Sequence, residues 1–586
     1  MINFQLQQIQ ELGQAATLAM NSGDLIAAES KLLQVLEIDP AEFNALSLLA
    51  YLRATMKDFP SCIHYLELAR KIRPLDQSVL INLGKAYLDM GNYQKSIGVY
   101  TVHKEHYEFN PDIALDLVIA NCNLRNFLVA LEQCIEITKK DTKNLAAWKQ
   151  LSIIYLKLKR IRESKDAAKT ALCLDPNDAE GWIVLGNAEY DLGEINNAIS
   201  SYKRAVDIKP NSSISWTNIG NCFLKLGNYD QAIKFFLHSI RLESNSEAFY
   251  NLGVAYGRVG DFAKALIAYN RLLEIDPQHV QGQLNKGLAL LQLGNFEEGW
   301  VLYENRFKLG DRLKSRYSNI KRLESLKDAV GKKLLVWYEQ GMGDTLQFSR
   351  YIQLLEEKGV VVTFEAQAPL YDFLKNQFEC CVVDESINTK EFDYQIPLLS
   401  LPLIFKTTLD TIPGVTNVSP EISKVQFWKE KVKRSRNKRN IGLAVSGNSL
   451  HQDDAIRSMP LHFIGPLLDK ANIFLLQKEV RNEDQEFLKN NPAIINLGVD
   501  LVSFSDSAAV IENLDLVISV DTSLIHLAGV MGKESYLLLP KIPEWRWLLG
   551  RKDTPWYKGI TLIEQNEFGD WRSVVKQLIN KISNMN

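Results

Sequence analysis

The sequence predicts an α-helical solenoid followed by a two-lobed α/β region. Two observations support this prediction. Glycines recur at a fixed spacing within helix-like stretches through the first half of the chain, whereas apolar strand-like runs alternate with helical stretches in the second half. With 586 residues the chain is also longer than one hydrophobic core normally supports, so more than one domain is expected.

The repeat is clearest from Trp182 onward. The first glycine of each unit recurs at intervals of 34, 33 and 34 residues: Gly186, Gly220, Gly253 and Gly287. A second set keeps the same spacing: Gly193, Gly227, Gly260 and Gly294. These units resemble the tetratricopeptide repeat, a pair of antiparallel helices of about 34 residues. About nine repeats, the earlier ones degenerate, are predicted over residues 1–310, where they would form a superhelix with a concave binding face.

Asparagines recur two positions before a repeat glycine, on one face of the first helix of their units: Asn82, Asn218, Asn251 and Asn285. Because side-chain amides both donate and accept hydrogen bonds, one hypothesis is that Asn218, Asn251 and Asn285 grip the backbone of an extended acceptor peptide. The alternative is that they satisfy turns of their own helices. Residue types alone favour neither.

After Arg306 a charged bridge, assigned to a connecting segment over 311–330, leads to nine strand-like runs: KLLVWYE, GVVVTFEA, CCVVDE, DYQIPLL, NIGLAVSG, NIFLLQ, PAIINLG, LDLVISV and ESYLLLP. Apolar strands that alternate with helices predict parallel sheets covered on both faces. The basic run at Lys429–Asn440 separates them into lobes over 331–430 and 440–586, and is interpreted as a linker, with a nucleic-acid patch as the minority alternative. Ligands of such sheets bind beyond the carboxyl ends of the strands.

Composition narrows the functional classes. The 67 basic and 70 acidic residues leave a net charge of −3, which does not favour nucleic-acid binding. The seven cysteines show no Cys-x-x-Cys spacing, so no zinc site is expected. No export signal and no run of about 18 apolar residues is evident, so we expect a reduced, cytoplasmic protein without a membrane span.

The strongest chemical signal is DLVISVDTSLIHLAGVMGKESYLLLP. An apolar strand ends at Asp521, and Thr522 and Ser523 then open a helix that carries His526. Backbone N–H groups at the start of that helix, together with two hydroxyls, predict an anion-binding site. The alternative is an ordinary helix cap, for which these residue types are favoured in any case.

This motif does not stand alone. DTSLIHLAG resembles the donor-phosphate motif Asp-Thr-x-x-x-His-x-Ala of heptosyltransferase-like glycosyltransferases, and GMGDTLQFSRY resembles the glycine turn near the start of their catalytic domains. Two further segments, LLLPKIPEWRWLLGRKDTPWY and GNSLHQDDAIRSMPL, resemble bacterial proteins that join tetratricopeptide repeats to this fold. The chain thus resembles a repeat-bearing bacterial O-GlcNAc transferase-type glycosyltransferase of the flagellin-modifying type. The resemblance implies a GT-B domain of two Rossmann-like lobes, with the acceptor in the first lobe and the nucleotide sugar in the second.

The glycine turn follows the first strand of the α/β region. Gly341 and Gly343 permit backbone angles that bring the main chain close to a substrate. Asp344 matches the acid that is the proposed base in the heptosyltransferase relatives, and a carboxylate there can take the proton of an attacking hydroxyl. The alternative is a cap of the following helix. Gln347 and Arg350 lie farther along the same helix face, where they could contact the acceptor or the sugar.

Further donor-binding candidates lie in the second lobe. Asn448 belongs to the turn after its first strand, and His451 and Arg457 follow. His451 is a candidate catalytic residue that would bind the donor sugar or phosphate, and Arg457 is a candidate for neutralising the diphosphate. Gln477 and Lys478 follow the next strand, and Lys478 resembles a residue that offsets nucleotide charge, although a lysine at a strand end is commonplace. No metal is expected, because such enzymes usually stabilise the leaving diphosphate with helix amides and cations.

The function predicted from these features is inverting transfer of a sugar, GlcNAc from UDP-GlcNAc by resemblance, onto Ser/Thr hydroxyls of a protein acceptor held by the repeats. Flagellin is the acceptor that the resemblance suggests, a homodimer is allowed, and no cofactor beyond the nucleotide sugar is expected. The group Trp545–Trp547 would pack the lobes or flank the donor. Two alternatives stay open: a transferase acting on a glycan or lipid-linked sugar, and a non-catalytic scaffold that binds nucleotide sugar.

Overall fold

The computed structural model describes residues 2–310, 316–384, 387–415, 418–433, 438–450 and 454–584. The chain divides into two compact units, Met1–Glu243 and Ser244–Asn586. Helices α1–α14 run through the described residues of the first unit. They are Ile2–Asn21, Leu25–Ile38, Phe43–Thr55, Phe59–Ile72, Gln77–Asp89, Tyr93–His106, Pro111–Asn123, Phe127–Lys140, Leu145–Lys157, Ile161–Leu174, Ala179–Asp191, Ile195–Ile208, Ser213–Lys225 and Tyr229–Leu242.

Each odd-numbered helix of the first unit packs against the helix that follows it. The first glycine of the repeat allows the two helices to approach closely. A Cβ atom added to Gly186 would lie 2.5 Å from the ring of Tyr202, and one added to Gly220 would lie 2.5 Å from the ring of Phe236. Real Cβ atoms do not approach carbon atoms at such distances, so only glycine permits these crossings. The helical pairs predicted from the glycine spacing are therefore confirmed.

The second unit begins with four more repeat helices, Ser246–Arg258 (α15), Phe262–Ile275 (α16), Val280–Gln292 (α17) and Phe296–Tyr303 (α18), the last continuing into a 3₁₀ helix, Glu304–Lys308. With these, residues 2–310 contain nine consecutive helix pairs. At the turns within the clearest pairs the second glycine adopts a positive φ, for example 78° at Gly193 and 80° at Gly294.

The first sheet contains β1 (Lys333–Trp337), β2 (Val361–Glu365), β3 (Cys381–Val383) and β4 (Tyr394–Pro397) in the order β3-β2-β1-β4, all parallel. Leu334 is in register with Val362 on one side and with Tyr394 on the other. The helices that accompany it are Leu326–Ala329, Met342–Phe348, Arg350–Glu357, Ala368–Leu374 and Leu401–Ile404, with 3₁₀ turns at Thr389–Glu391, Leu398–Ser400 and Leu409–Thr411.

The second sheet has the order β10-β11-β9-β8-β5-β6-β7. Its strands are Arg439–Ala444 (β5), Ala471–Leu475 (β6), Ile495–Asn496 (β7), Leu516–Val520 (β8), Ser535–Leu539 (β9), Asp553–Thr554 (β10) and Tyr557–Glu564 (β11). All neighbours are parallel except β10 and β11. The accompanying helices are Ile422–Val432, Asp454–Arg457, Asn482–Asn490, Phe504–Glu512, Ser523–Val530 and Trp571–Ser583, with 3₁₀ helices at Leu461–Leu467 and Trp545–Trp547.

All nine strand-like runs form strands, so a helical solenoid followed by parallel α/β sheets is confirmed. Strands β10 and β11 were not predicted. In β11 exposed and half-buried positions interrupt the apolar ones, because Lys558 and Gly559 fall inside the run, and the continuous apolar character of the other long strands is lost. The assignment of the two sheets to the GT-B fold is part of the proposal below.

The basic run predicted as a linker is only partly one. Lys429 lies within the helix Ile422–Val432, residues 434–437 lie outside the described part of the chain, and β5 begins at Arg439. That helix packs against Phe504–Glu512 of the second sheet's layer: Lys424 Nζ lies 2.9 Å from Asp506 Oδ1. The first two lysines of the run, Lys429 and Lys431, therefore lie on a packed helix.

One continuous core joins the last repeat to both sheets of the second unit. Trp300 of α18 packs edge-on against Phe348, with ring centroids 6.3 Å apart, and against Trp545, at 5.4 Å. Its indole N–H donates to the carbonyl oxygen of Thr407, 3.1 Å away. The last repeat is thus built into the α/β region. Among the residues that the structure describes, no helix combines the length and apolar character needed to cross a bilayer.

Candidate active site

Three of the predicted motifs lie in turns that follow strands, beside the point in each sheet where the strand order reverses. In the first sheet β1 lies between β2 and β4, and the turn after β1 carries Gly341–Asp344. In the second sheet β5 lies between β6 and β8, and the turns after β5 and β8 carry Ser446–Asn448 and Asp521–Ser523. Parallel α/β sheets form their binding crevices at the carboxyl ends of strands beside such reversals of strand order. The topology therefore places all three motifs where a ligand is expected.

Asp344 caps a helix and also forms an ion pair. The N–H of Gly341 donates to its Oδ2, 2.9 Å away, at the start of the helix Met342–Phe348. Its Oδ1 pairs with a guanidinium nitrogen of Arg546, a residue of the second sheet's layer. The helix cap that the sequence left as the alternative is present. The side chain keeps 15% of its surface exposed, so this contact leaves it within reach of a substrate.

Gly343 is needed for close packing between the motif after β1 and the motif after β8. A Cβ atom at this position would lie 2.7 Å from Cδ2 of His526, in the helix Ser523–Val530. The sequence predicts that this glycine lets the main chain approach a substrate, and what lies against it here is the imidazole ring. The helices that begin at the two motifs pack against each other. This contact brings the Asp344 turn and the Asp521 turn to one place.

His526 is buried between two polar partners. Its Nδ1 lies 3.0 Å from the hydroxyl of Tyr557, and its Nε2 lies 3.8 Å from Oδ1 of Asp521. Burial alone would raise the pKa of Asp521, but the contact with His526, the indole of Trp547 and the charge of Arg546 outweigh it and hold that pKa below its usual value. Asp521 is therefore a carboxylate at neutral pH, and His526 is held in place within the protein.

The start of the helix Ser523–Val530 is open to solvent in part. Thr522 is its N-cap, and the threonine hydroxyl accepts a hydrogen bond from the N–H of Leu524 at 3.3 Å. The hydroxyl of Ser519 lies 3.1 Å from that of Thr522. Asp521, Thr522 and Ser523 are all half-buried. The cap that the sequence offers as the alternative is thus formed, and the predicted binding of an anion at this helix start stays a prediction.

Gln477 fixes the turn after β5. Its Oε1 accepts hydrogen bonds from the N–H groups of Val445 and Ser446, at 2.8 and 3.3 Å, and its Nε2 donates to the Ser446 hydroxyl at 2.8 Å and to the Glu479 carbonyl at 3.0 Å. The side chain is buried. The sequence predicts a donor-binding side chain, whereas in the structure the amide is satisfied by the protein itself.

The remaining candidates of the second lobe surround the same turn. The guanidinium of Arg457 lies over it, since a Cβ atom at Gly447 would be 2.7 Å from Nη2 of the arginine. Asn448 is exposed, and its Oδ1 accepts from the N–H of Leu450 at 2.9 Å. Lys478 is exposed at the end of β6. His451 lies outside the described residues.

Gln347 and Arg350, predicted to contact the acceptor, are both buried. The Arg350 guanidinium donates to three backbone carbonyls, those of Gln347 at 2.7 Å, Pro413 at 2.9 Å and Trp556 at 2.9 Å. It lies over the ring of Trp556 as well, and burial lowers its pKa. Arg350 therefore ties the first sheet's layer to the start of β11, a contact between distant segments that a reading of helix faces does not predict.

Two partners of the turn after β1 come from the last repeat. Glu339 is fully buried, and both of its oxygens pair with Arg306, at 2.7 and 2.8 Å. The amide of Gln340 donates to the hydroxyl of Tyr303 at 2.7 Å. Sequence reasoning missed these residues. The available signal was a carboxylate directly after a buried strand, since such a group needs a cation nearby.

The asparagine face of the first unit borders a cavity. Asn218 donates from Nδ2 to Oδ1 of Asn187 at 3.2 Å, and the hydroxyl of Tyr202 donates to the same oxygen at 2.7 Å. These three residues, with Tyr190 and Asn221, line a cavity of about 460 Å³. Its lining offers amide and hydroxyl groups as well as apolar side chains. Asn187 was not singled out from the sequence, although it directly follows Gly186.

In the second unit the corresponding residues are Asn251 of α15 and Asn285 of α17. Asn285 accepts from the amide of Gln281 at 3.1 Å and donates to the hydroxyl of Tyr250 at 3.3 Å. The bond with Gln281 lies within one helix, as the alternative interpretation requires, whereas the bond with Tyr250 joins α17 to α15. Whether the asparagines also hold a peptide stays a prediction.

Comparison with known proteins supports the repeats directly. Models described as tetratricopeptide repeat match residues 79–108 and 211–278, and a model described as TPR repeat matches 186–227. Tetratricopeptide repeats are present in this chain. Two solved repeat structures are similar to this chain. TTC0263, a thermophilic TPR protein of Thermus thermophilus, is 23% identical to it, and YrrB, a TPR protein with an unusual peptide-binding site, is 21% identical. They cover 31% of this chain each, with 100% and 95% of their own lengths, at TM-scores of 0.29 and 0.26.

Two curated relatives extend the comparison. Protein FlbA of Caulobacter vibrioides is 25% identical over 362 aligned residues, with 56% of this chain and 59% of that protein covered. Uncharacterized protein MJ0572 of Methanocaldococcus jannaschii is 42% identical over 53 residues, 9% of this chain and 62% of that protein. The chain thus covers less than two thirds of either relative. Together with the repeat models, these matches support the repeat-bearing part of the predicted resemblance.

Across the ranges that the structure describes, no three His, Cys, Asp or Glu side chains come together in an arrangement that could hold a metal ion.

Proposed function

We propose that this chain is an inverting glycosyltransferase that moves a sugar from a nucleotide diphosphate sugar to a Ser/Thr hydroxyl of a protein. The two parallel sheets would be the lobes of a GT-B domain, the donor would be UDP-GlcNAc, and the repeats would hold the acceptor, with flagellin as the suggested protein. The observation that supports this most strongly is the packing of Gly343 against His526. It joins the predicted acceptor turn to the predicted diphosphate turn at the carboxyl edges of the sheets.

In the proposed reaction the acceptor hydroxyl attacks the anomeric carbon of the sugar. The new C–O bond forms as the bond to the diphosphate oxygen breaks, so configuration inverts and UDP leaves with the bonding electron pair. Asp344 accepts the hydroxyl proton. The N–H groups at the start of the helix Ser523–Val530, with Arg457 and Lys478, stabilise the negative charge that grows on the diphosphate. Because Gln477 and Arg350 are bonded within the protein, we assign them to positioning the site.

The repeats enter the proposal as the acceptor-binding region. A polar cavity in the first unit, lined by Asn187, Asn218 and Tyr202, offers amide and hydroxyl groups to a peptide backbone. Binding there raises the local concentration of the acceptor at the catalytic lobes without any further contact to the reacting hydroxyl. The second unit also contains repeat helices. In this proposal one chain combines repeats that bind the acceptor with two sheets that catalyse the transfer.

The test is the intact mass of flagellin co-expressed with the wild-type chain, with Asp344→Ala and with Asp570→Ala. We expect an added N-acetylhexosamine mass with the wild type and a loss of transfer by at least a hundredfold with Asp344→Ala, because the base is removed. Asp570→Ala is the control for the loss of a helix-capping carboxylate: it removes the cap of the helix Trp571–Ser583 and leaves Asp344 in place.

Two outcomes would contradict the proposal. Donor that binds to purified wild-type chain but is never transferred would indicate a scaffold. A lipid-linked or free glycan that gains the sugar in place of any protein would indicate the other class of transferase. Transfer that persists unchanged in Asp344→Ala would contradict the assignment of the base.

A further inference from the structure

Arg546 occupies the place where the two turns meet. It lies in the 3₁₀ helix Trp545–Trp547, and its guanidinium pairs through one nitrogen with Asp344 and through the other with Glu544. The guanidinium lies 4.4 Å from the ring centre of Trp545, and the side chain keeps only 10% of its surface exposed. The guanidinium of Arg546 thus bridges Asp344, which follows β1, and Glu544, which follows β9.

The carboxylates around this cation outnumber it. Asp521 lies close enough for its charge to be stabilised by Arg546, in addition to the two acids that Arg546 contacts. The Nε of Arg546 is buried and has no hydrogen-bond partner among the described residues. A guanidinium offers five N–H donors, so this one retains the capacity to bind a further oxygen.

The same contact occupies the proposed base. One oxygen of Asp344 accepts from the N–H of Gly341 and the other faces Arg546. A carboxylate whose two oxygens already accept hydrogen bonds within the protein is not free to meet a substrate hydroxyl. In the conformation described, both oxygens of Asp344 are occupied, and the site is in a resting arrangement.

The backbone next to Arg546 is strained. Leu548 has φ 59° and ψ −174°, a region that residues other than glycine rarely occupy, and its side chain is buried in the core. Gly550, with φ 66°, follows two residues later. Because Leu548 is strained and Gly550 is conformationally permissive, we expect the segment that carries Arg546 to change conformation at these residues.

We propose that Arg546 is an exchangeable diphosphate ligand: without donor it neutralises Asp344, and when the diphosphate of the nucleotide sugar binds, the guanidinium turns to the phosphate oxygens and frees Asp344. This rests on the proposed function and deepens it. The planar fork of arginine matches phosphate oxygens, and the diphosphate carries more charge than the carboxylate it replaces. Binding of the donor diphosphate thereby frees the base.

The test measures the affinity of UDP and of UMP for the full chain by titration calorimetry. With wild type we expect UDP to bind more tightly than UMP. Because Asp344 and Glu544 compete with the diphosphate for Arg546, Asp344→Ala and Glu544→Gln should each bind UDP roughly 3- to 10-fold more tightly, Asp344→Ala doing so while transferring no sugar. Arg546→Gln should lose the preference for UDP over UMP, a weakening of roughly 10- to 100-fold.

The control is Arg551→Gln, which removes a half-buried arginine from the same connection and breaks its pair with Asp553. It should bind UDP as wild type does. UDP affinity that is unchanged or weaker in both Asp344→Ala and Glu544→Gln overturns the proposal, since a purely structural arginine predicts no gain. Wild type that binds neither UDP nor UMP would instead refute the proposed function, so the two failures are distinguishable.

Discussion

Removing Arg306 should destabilise the second unit far more than removing an exposed arginine. Arg306 pairs with both oxygens of Glu339, at 2.7 and 2.8 Å, and also with Glu304. In Arg306→Met the carboxylate of Glu339, which has no exposed surface, keeps a hydrogen bond of 3.1 Å from the N–H of Leu399. Stranding a buried charge in this way costs about 3–5 kcal/mol.

The double variant Arg306→Met/Glu339→Met removes both charges of the buried pair. With both charges gone nothing is stranded, and methionines fill similar volume, so we expect it to regain roughly half of the loss, about 2 kcal/mol. The two substitutions should therefore be strongly non-additive, as expected for residues in direct contact. The matched control is Arg271→Met on α16, whose pair with Glu274 is about 60% exposed on both sides. Its cost should stay below about 0.5 kcal/mol.

Urea unfolding followed by tryptophan fluorescence is the assay. Seven of the ten tryptophans lie in the second unit, so the signal reports mainly on it, and a chain of two units requires that its transition be fitted separately. The reasoning is refuted if Arg306→Met costs no more than Arg271→Met. It is also refuted if the double variant is as unstable as the sum of its single substitutions.

The remaining predictions concern packing in the second unit. Gly343→Ala should cost about 1–3 kcal/mol in urea unfolding and disturb the site, because the new Cβ meets His526; Gly414→Ala, where nothing lies within 4 Å, should be neutral. A chain of residues 244–586 should unfold cooperatively in differential scanning calorimetry, because it keeps the repeat helices that belong to its core. A chain of residues 311–586 should instead bind hydrophobic dyes and aggregate, since the aromatic side chains of α18 are missing; a cooperative transition in that chain would contradict the role given to the last repeat.

The repeats could be predicted from sequence where glycine marks them, and not where another residue does the same task. Lys57, Arg125 and Lys159 adopt φ values of 59°, 62° and 59° at the turns of early pairs, the place where Gly193 and others stand in the later ones. The backbone geometry is the same, but a lysine or arginine in a left-handed conformation leaves no trace in the sequence. These repeats therefore look degenerate in sequence while their helices are regular.

The local part of the candidate site was also predictable. The turn after β1, the cap at Thr522 and the strand that precedes it all follow from patterns within about ten residues. The partners of these turns were not predictable in the same way. Asp344 meets Arg546, about two hundred residues later, and Glu339 meets Arg306 in the last repeat. Ion pairs between distant segments depend on how the sheets pack, which no local pattern records.

The two arginines that hold the turn after β1 differ in a way that bears on function. The pair Arg306–Glu339 is sealed from water, and separating it would leave two desolvated charges, so it fixes the start of the turn permanently. The pair Arg546–Asp344 is partly exposed, and Glu544 beside it has 39% of its surface accessible. Because these side chains keep some exposed surface, a ligand that brings its own oxygens can compensate the charge of Arg546 as that pair opens. The turn after β1 is thus held rigidly at Glu339 and reversibly at Asp344. The carboxylate of Asp344 can therefore stay in position while Arg546 leaves it for a ligand.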